Sequence, residues 1–449
     1  MNEPVSEATS SLFDTIVAPA TSPVRSALAI VRLDGPESLH IVNKLTESDV
    51  PPERRAVLRA IRHRGELIDE AMVTCYHAPR SFTGNDMAEF TLHGNPLLVD
   101  LVIRAAVESG ARIAEPGEFT ERAVLNGKLD LVQAESVHDL IASRTKLQAR
   151  LSLDNLEGSL SSEARTLRER LLFVISRLEA ALDFAEEGYE FITAAEVAET
   201  LGTTLDIIRS IRSTYERGRA TREGLLAVIL GQPNAGKSSL MNMLCGSERA
   251  IVTELPGTTR DLLRETIEVG GLPVTITDTA GLRESQDAVE TMGVERARRA
   301  AAAADIVIYL VDSTRGMDEV DRNELRGHEG ALLVFTKMDL APAQEGSLGI
   351  SVTTGLGVDR FLKLLDREVA DRFAPAEGSP TIVNERQREA IGECEAALES
   401  ASDAARQGMN EEILTAELYR AANALGALTG AITRQDVLHE IFAKFCIGK

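Results

Sequence analysis

The chain has 449 residues, with 70 Asp and Glu against 48 Lys and Arg, and therefore a formal charge of −22. Such a charge argues against a protein that wraps nucleic acid with a broad basic surface. Aromatic residues make up only 4% and Trp does not occur, which argues against an aromatic platform for stacking single-stranded bases. At roughly 150 residues per domain, the length predicts about three domains.

The predicted compartment follows from cysteine usage and from the N-terminal residues. No CxxC pair occurs, so a zinc ribbon is not indicated, and the few, widely spaced cysteines favour a reducing compartment over a disulfide framework. Acidic residues precede the first basic residue, Arg25, unlike the start of a signal or transit peptide. No apolar run approaches the ~18 residues of a membrane span. We therefore expect a cytoplasmic protein with no membrane segment.

Residues 1–127 are predicted to form a mixed α/β segment. Short apolar runs bounded by Pro or Gly predict strands at Ile16–Ala18, Ala27–Leu33 and Met87–His93. Residues Pro96–Val107 have the pattern of a helix.

Two helical blocks, at about 128–220 and 378–449, flank a segment of different character at 221–377. Within Arg168–Glu187, apolar residues at three- and four-residue steps predict one buried stripe, made of Leu171, Leu172, Ile175, Leu178, Leu182 and Phe184. Short apolar runs alternate with helices in the middle segment, which is typical of a largely parallel, doubly wound sheet. These runs are Leu225–Leu230, Val274–Thr277, Asp305–Val311, Ala331–Phe335 and Leu348–Ser351. The arrangement predicts an α/β domain inserted into a helical one.

The segment Gly231–Ser238 matches the phosphate-loop pattern G-x-x-x-x-G-K-[ST] and stands between a predicted strand and a helix. Its glycines let backbone N–H groups approach phosphates, and a helix N-terminus favours negative charge. Lys237 is expected to neutralise the β- and γ-phosphates, and the Ser238 hydroxyl to ligate Mg²⁺. An ordinary Gly-rich turn is the alternative, but the strand–loop–helix context argues against it.

Three further motifs follow predicted strands and indicate a GTPase. Asp278–Gly281 places a carboxylate at a strand end, and the Gly281 N–H can sense the γ-phosphate. In Thr336–Asp339, the carboxylate of Asp339 can accept from the two N–H groups that guanine has and adenine lacks. Ser351–Gly355 resembles the last GTPase motif.

Two positions depart from the usual GTPase pattern. Thr336 stands where Asn is usual, which removes an amide donor but should preserve the choice of guanine. Leu282 stands where Ras-like enzymes have a water-orienting Gln. Because Leu cannot orient water, catalytic help is expected from another residue, an ion or a partner.

With their flanking residues, these motifs resemble the MnmE (TrmE) tRNA-modification GTPase family over nearly the whole chain. The resemblance extends beyond the GTPase motifs to both ends of the sequence. It rests on Thr253–Asp261 and Leu282–Glu290 near the two switches, on Ser81–Asp86, Pro116–Arg122 and Leu125–Leu131, and on the C-terminal Phe445–Lys449.

The resemblance implies three domains with the boundaries suggested by the sequence. They are an α/β tetrahydrofolate-binding and dimerisation domain at 1–127, an all-α helical domain at 128–220 and 378–449, and an inserted Ras-like α/β P-loop GTPase domain at 221–377. It also implies a homodimer and a flavoprotein partner, MnmG (GidA), in a heterotetramer. The charge of −22 indicates that tRNA is bound mainly through that partner. Together they would add a carboxymethylaminomethyl group to the wobble uridine, using 5-formyl- or 5,10-methylene-tetrahydrofolate as the carbon carrier and GTP as the energy input.

The resemblance also implies roles for individual residues. Lys237 and Glu290 would be catalytic, the latter by positioning the attacking water. Thr259 would join Ser238 on Mg²⁺, and K⁺ would be held by Asn234, Thr253, Leu255 and Thr258. The residues expected to contact GTP are Asn234, Ala235, Gly236, Lys237, Ser238, Ser239, Thr253, Glu254, Leu255, Pro256, Gly257, Thr258, Thr259, Asp278, Thr279, Ala280, Gly281, Thr336, Lys337, Met338, Asp339, Ser351, Val352 and Thr353.

Folate binding would involve Arg32, Glu89, Lys128 and Lys449, since a carboxylate suits the pterin edge and a basic residue suits the glutamate tail. The chain differs from the family here, because Val24, Ser26, Ala27 and Asn95 replace glycines near the expected pocket. Two roles are open for Cys446, that of a nucleophile and that of a buried structural thiol.

Two other functions are compatible with parts of this pattern. One is a GTPase switch in ribosome or RNP assembly without modification chemistry, and the other is a one-carbon folate enzyme with a regulatory GTPase domain. The first would more often carry an appended basic RNA-binding domain. The second lacks an evident catalytic constellation in residues 1–127. The signatures at both ends favour the tRNA-modifying GTPase.

Overall fold

The computed structural model describes residues 14–184, 191–247, 249–251, 264–278, 301–328, 330–376, 378–407, 411–432, 438, 441–443, 445 and 448. The chain divides into two compact units. The first unit comprises residues 1–138 and 426–449, and the second comprises residues 139–425.

The first unit is built on a six-stranded sheet in the spatial order β3-β4-β5-β2-β1-β6. Its strands are β1 (Ile16–Pro19), β2 (Leu28–Asp34), β3 (Val57–His63), β4 (Glu66–Tyr76), β5 (Met87–His93) and β6 (Arg112–Ile113). The helices that begin in this unit are α1 (Ser38–Thr46), α2 (Pro96–Glu108), α3 (Glu118–Leu125) and α4 (Leu131–Ala142). The predicted mixed α/β character is confirmed, with α1, the β3–β4 hairpin, β6 and α3 in addition to the predicted elements.

Strand register decides which side chains of this sheet enter the core. Val31 of β2 and Val73 of β4 both pair with Phe90 of β5, and all three are completely buried beneath α1 and α2. Successive side chains of a strand point to opposite faces. The neighbouring register partners Arg32 and Glu89 therefore lie on the opposite face of the sheet.

The second unit begins with helices, as predicted. They are α5 (Lys146–Leu156), α6 (Ser159–Asp183), α7 (Ala194–Ser213) and α8 (Tyr215–Glu223). In the predicted stripe, Leu171, Ile175 and Leu178 are buried. The prediction was wrong for Phe184, which is exposed because α6 ends one residue before it.

A five-stranded sheet in the order β11-β10-β7-β9-β8 follows in the second unit. Its strands are β7 (Leu225–Gly231), β8 (Arg264–Val269), β9 (Leu272–Asp278), β10 (Ile306–Asp312) and β11 (Leu332–Thr336), with helices α9 (Lys237–Cys245), α10 (Glu319–Arg326) and α11 (Val358–Phe373). All neighbouring strands are parallel except β8 and β9. In β7, Ala227 and Ile229 pack into one core cluster with residues of α9 and α11, whereas Val228 and Leu230 pack into another. The predicted, largely parallel sheet with both faces covered is confirmed.

The strand predicted at Leu348–Ser351 is wrong. This segment makes a single bridge, between Gly349 and Phe335 at the end of β11. The chain then turns, since the Ser351 N–H donates to the Leu356 carbonyl at 2.8 Å. The turn ends the pairing before a strand can form.

The long helices α12 (Glu385–Arg406) and α13 (Glu411–Thr429) follow the sheet. Within the described ranges, no helix combines the length and the apolar character needed to cross a membrane.

Candidate functional sites

The phosphate loop connects the central strand β7 to α9, as its sequence predicts. It begins at Gly231, where an added Cβ would lie 2.4 Å from the Leu310 carbonyl oxygen, so only glycine fits. Asn234 and Gly236 both have left-handed backbone conformations, with φ of 64° and 91°. The loop therefore turns sharply into the first residue of α9, Lys237.

Lys237 is positioned by the loop itself. Its Nζ donates to the carbonyl oxygens of Gly231 and Gln232, each at 2.9 Å, and its side chain is buried. The positive end of the α9 dipole lies at the same place. Ser238 and Ser239 follow in the first turn of the helix. This arrangement favours an anion at the loop.

A polar network that the sequence did not predict fixes the second residue of the loop. The Gln232 side-chain amide donates to Asp318 at 3.0 Å and to Asp321 at 3.1 Å. The Gln232 side-chain oxygen, Oε1, accepts from Arg315, whose guanidinium also donates to Asp321 at 2.7 Å. Asp321 is completely buried and accepts a further hydrogen bond from Tyr309 at 2.9 Å. The start of α10 is thereby tied to the phosphate loop.

The motif Thr336–Asp339 follows β11 and is connected directly to the phosphate loop. The Thr336 hydroxyl donates to the Ala235 carbonyl at 2.8 Å and is 3.3 Å from that of Val311. Thr336 therefore joins the loop to the neighbouring strands although it lacks the usual amide. Asp339 itself is exposed.

Lys337 has a left-handed backbone, with φ of 59°, and its Nζ lies 2.6 Å from Asp312 at the end of β10. Burial opposes ionisation of Asp312, but hydrogen bonds from Lys337 and Thr314 outweigh it and hold the pKa of this carboxyl below its usual value. The ion pair leaves the aliphatic stem of Lys337 held beside the strand ends. The sequence signal for this ion pair is Asp312, the acidic residue that ends β10.

The last motif lies beside the guanine motif. The Met338 N–H donates to the Ile350 carbonyl at 3.2 Å, next to Ser351. The Ser351 hydroxyl accepts from the Thr354 N–H at 3.2 Å and so shapes the turn that contains Val352 and Thr353. Asp278 ends β9, beside Ile229 of β7 in the register. The structure thus brings the phosphate loop, the guanine motif, the last motif and Asp278 to one edge of the sheet.

Several predicted residues lie outside the described residues. They are Thr253, Glu254, Leu255, Pro256, Gly257, Thr258, Thr259, Thr279, Ala280, Gly281, Leu282, Glu290, Cys446 and Lys449. The roles predicted for them stay predictions.

The first unit contains a cavity of about 630 Å³ on the open face of its sheet. Its wall includes the ion pair between Arg32 and Glu89, with nitrogen–oxygen distances of 2.8 and 3.0 Å. The Tyr76 hydroxyl also donates to Glu89, at 3.3 Å. Burial raises the pKa of Tyr76 above its usual value, and the nearby Glu89 charge raises it further. The cavity thus brings together two of the four predicted folate residues, along with Tyr76, which the sequence did not indicate.

Lys128 lies near this cavity but is not part of the described lining. It is exposed, and its Nζ donates to the Pro79 carbonyl at 3.1 Å. Asn95, one of the positions where the family has glycine, has a structural role. Its side chain caps α2 by accepting from the Leu97 N–H at 3.0 Å.

The family-like segments Ser81–Asp86 and Pro116–Arg122 meet in a buried charge network. Arg122 is 1% exposed and pairs at 2.9 Å with both Asp34 and Glu118. Asp34 also accepts hydrogen bonds from Thr83 and Asn85 in the first segment. The segment that lines the cavity through Ser81 and Phe82 is therefore held by an interior ion network.

A phosphate loop after the central strand, and a guanine motif at the same edge of the sheet, define the second unit as containing a P-loop GTPase domain. Comparison with known proteins specifies the family. A profile described as "MnmE helical domain" matches residues 131–446, and one described as "GTP-binding protein TrmE N-terminus" matches residues 15–128.

Curated relatives cover the chain almost completely. One from Nitrosococcus oceani, named "tRNA modification GTPase MnmE", is 40% identical over 456 residues and spans 99% of each chain. Another of the same name, from Moorella thermoacetica, is 38% identical over 463 residues and spans 98% of this chain and 100% of the relative. The chain therefore belongs to the MnmE family. A solved structure of an Era variant from Aquifex aeolicus is similar to part of this chain, covering 38% of this chain and 66% of its own, at 22% identity and a TM-score of 0.26.

Proposed function

We propose that the protein is a potassium-dependent GTP hydrolase that works with a flavin-dependent partner, MnmG (GidA), to add a carboxymethylaminomethyl group to the wobble uridine of certain tRNAs. As a member of the MnmE family, it is a GTP hydrolase that acts in tRNA modification. The full proposal rests on 40% identity across 99% of both chains, which spans the cavity of the first unit as well as the phosphate loop. We propose the domain boundaries predicted above and a cytoplasmic location for the same reason.

The phosphate loop supports the GTPase part of this function. Lys237 would neutralise charge on the β- and γ-phosphates, because its ammonium is already held at the loop by two carbonyl oxygens. Mg²⁺, held by Ser238 and Thr259, would neutralise charge that develops on the phosphates. Ser238 fits this role by its place in the first turn of α9. Asp339 would select guanine through its two N–H groups.

A monovalent cation would supply the charge that other GTPases obtain from an arginine. The left-handed Asn234 stands where the loop turns, and its amide oxygen is a suitable ligand for K⁺. Thr253, Leu255 and Thr258 would complete the set, and Glu290 would position the attacking water in place of the Gln that Leu282 replaces. Turnover should be faster in K⁺ than in Na⁺ at equal ionic strength, and equal rates would refute potassium dependence.

The cavity of the first unit supports the folate part. Its volume of about 630 Å³ lies within the range of roughly 300–1,000 Å³ that is common for ligand pockets. Glu89 offers a carboxylate to the N–H groups of a pterin, while Arg32 holds that carboxylate in place. Lys128 and Lys449 are proposed to contact the rest of the carrier, a 5-formyl- or 5,10-methylene-tetrahydrofolate.

The open face of the same sheet supports a homodimer. Leu28, Leu58 and Met72 are exposed there, with 60%, 58% and 38% of their surface accessible. They share the face that carries Arg32 and Glu89. Large exposed apolar side chains on one face favour association. The charge of −22 favours a heterotetramer in which MnmG provides most contacts to tRNA phosphates.

Mass analysis of tRNA nucleosides from a strain that lacks this protein tests the proposal directly. The carboxymethylaminomethyl group should disappear from wobble uridines and return when the wild-type gene is restored. A Lys237→Ala gene should not restore it. Unaltered wobble uridines in the deletion strain would refute the modification function and favour a GTPase switch in ribosome or RNP assembly.

A further inference from the structure

The charges around the cavity of the first unit are unevenly compensated. Arg32, Arg54, Arg80 and Glu89 all line it. Glu89 neutralises Arg32 at 2.8 Å. Glu53, which lies outside the lining, neutralises Arg80 at 2.5 Å. Over the described part of the chain, Arg54 has no carboxylate within ion-pair distance, so its positive charge is uncompensated.

The backbone around Arg54 fixes this charge at the cavity. Arg54 has a left-handed conformation, with φ of 56°, which is uncommon for a residue with a long side chain and is costly enough to require support. Its N–H donates to the Cys75 carbonyl at 2.8 Å, next to Tyr76. Its guanidinium donates once, to the Arg80 carbonyl at 2.8 Å. Most of its N–H donors are therefore available to a ligand.

The cavity consequently has two chemically different parts. The carboxylate of Glu89, supported by Arg32 and Tyr76, can accept from N–H groups of a heterocycle. The guanidinium of Arg54 can bind a carboxylate, often through two parallel hydrogen bonds. A ligand with a donor-rich ring at one end and carboxylates at the other end satisfies both. Reduced folates have this composition.

We propose that Arg54 is an anion-binding residue of this cavity and binds the glutamate tail of the reduced folate whose pterin ring faces Glu89. The assignment rests on the folate binding proposed above and adds a residue that determines ligand preference. It explains how a chain with a charge of −22 can take up a polyanionic carrier. It also predicts that a longer tail, with more carboxylates, binds more tightly.

Calorimetry on the full-length protein tests this assignment with two probes. 5-Formyltetrahydrofolate has both the ring and the glutamate tail, whereas 6-methyltetrahydropterin has the ring alone. Arg54→Gln should weaken binding of the folate about tenfold, the lower end of what a hydrogen bond to a charged group contributes, and should leave binding of the pterin unchanged. Arg54→Lys should retain part of the affinity. Added salt should weaken the wild type more than Arg54→Gln.

Arg55→Gln is the matched control, since Arg55 is adjacent, equally basic and exposed but does not line the cavity. It should bind both probes as the wild type does. Equal folate affinity in the wild type and Arg54→Gln would overturn the assignment. So would a loss that is the same for both probes, because Arg54 would then act on the shape of the pocket. If the wild type does not bind 5-formyltetrahydrofolate, the proposed folate function fails, and this assignment fails with it.

Discussion

The two candidate anion sites are built in different ways. The phosphate loop is made by contiguous residues, and its conformation follows from backbone turns at Gly231, Asn234 and Gly236. The cavity of the first unit is assembled from side chains of β2, β4, β5 and the segments near Arg54 and Ser81. A site built from contiguous backbone is encoded in a short motif. A site built from distant side chains depends on the packing that brings them together.

The two sites also differ in the partners of their positively charged side chains. At the phosphate loop, the Lys237 ammonium donates to two neutral carbonyl oxygens and lies at the N-terminus of α9, which favours an anion. In the cavity, Arg32 and Arg80 are neutralised by carboxylates. The loop is suited to strong binding of phosphate. The cavity is suited to selecting a ligand by the position of its charges.

Arg122→Ala gives the strongest test of the idea that the first unit, which holds the cavity, depends on distant packing. Arg122 is buried and pairs with both Asp34 and Glu118, and loss of one partner leaves buried charges uncompensated. We expect the free energy of unfolding of the first unit to fall by about 3–5 kcal/mol. Urea unfolding followed by circular dichroism measures this change, while GTP binding by the second unit should persist.

Arg104→Ala, which removes an exposed i,i+4 pair with Asp100, is the control and should cost no more than ~1 kcal/mol. Equal costs would show that the interior network stabilises the first unit no more than an exposed ion pair does.

The contribution of Glu118 to this network should depend on pH. Burial opposes its ionisation, but hydrogen bonds from Arg112 and the Glu115 N–H outweigh burial and lower its pKa from the usual 4.5. Because the folded pKa is depressed, the stabilisation is complete above pH 4.5 and is lost as the pH falls through the folded value. The difference in unfolding free energy between wild type and Glu118→Gln should therefore shrink below pH 4.5. A constant difference across this range would contradict an ionic role for Glu118.

These two sites also show what sequence patterns can predict. The phosphate loop, the central strand and the motif at Thr336 were predicted from local spacing, since glycines, a strand and a helix start stand together in the chain. Arg32 and Glu89 were proposed through the family resemblance, and neither Tyr76 nor Arg54 carries a local signal. Residues that meet only through strand register, such as Arg32 and Glu89, become neighbours when the sheet is known.

Where the predictions failed, a local contact overrode an apolar pattern. Leu348–Ser351 has the composition of a strand, yet the turn closed by Ser351 and Leu356 leaves one bridge. Phe184 continues the spacing of α6, but the helix ends before it. Conversely, the hairpin of β3 and β4 contains many charged residues, which obscure the alternation expected of a strand.

The network at Gln232 gives the next largest expected effect. Through this network, the second residue of the phosphate loop, Gln232, depends on side chains that are distant in the sequence. Arg315→Ala removes the hydrogen bonds that Gln232 and the buried Asp321 accept from Arg315. Gln232 should then hold the phosphate loop less firmly. We expect GDP to bind about tenfold more weakly, consistent with roughly 1–3 kcal/mol for a buried polar group left unsatisfied. Stopped-flow dissociation of a fluorescent GDP measures this, with kcat expected to change less than KM.

Arg322→Ala provides the matched control, because Arg322 is exposed on the same helix, α10. It should leave GDP dissociation unchanged. If Arg315→Ala lowers only the melting temperature and not the nucleotide affinity, the network stabilises α10 without positioning the loop. The loop would then be fully local, and the contrast with the cavity would be sharper.

The smallest expected effect concerns Thr336, whose hydroxyl donates to the Ala235 carbonyl at 2.8 Å. Thr336→Val keeps the shape of the side chain but removes this donor, so the cost should be about 1 kcal/mol, or roughly fivefold in nucleotide affinity. Thr336→Ser keeps the hydroxyl and should bind nearly as the wild type does. The preference for GTP over ATP should be the same in all three proteins, since the guanine N–H groups are assigned to Asp339. A changed preference in Thr336→Val would show instead that Thr336 contributes to recognition of the base.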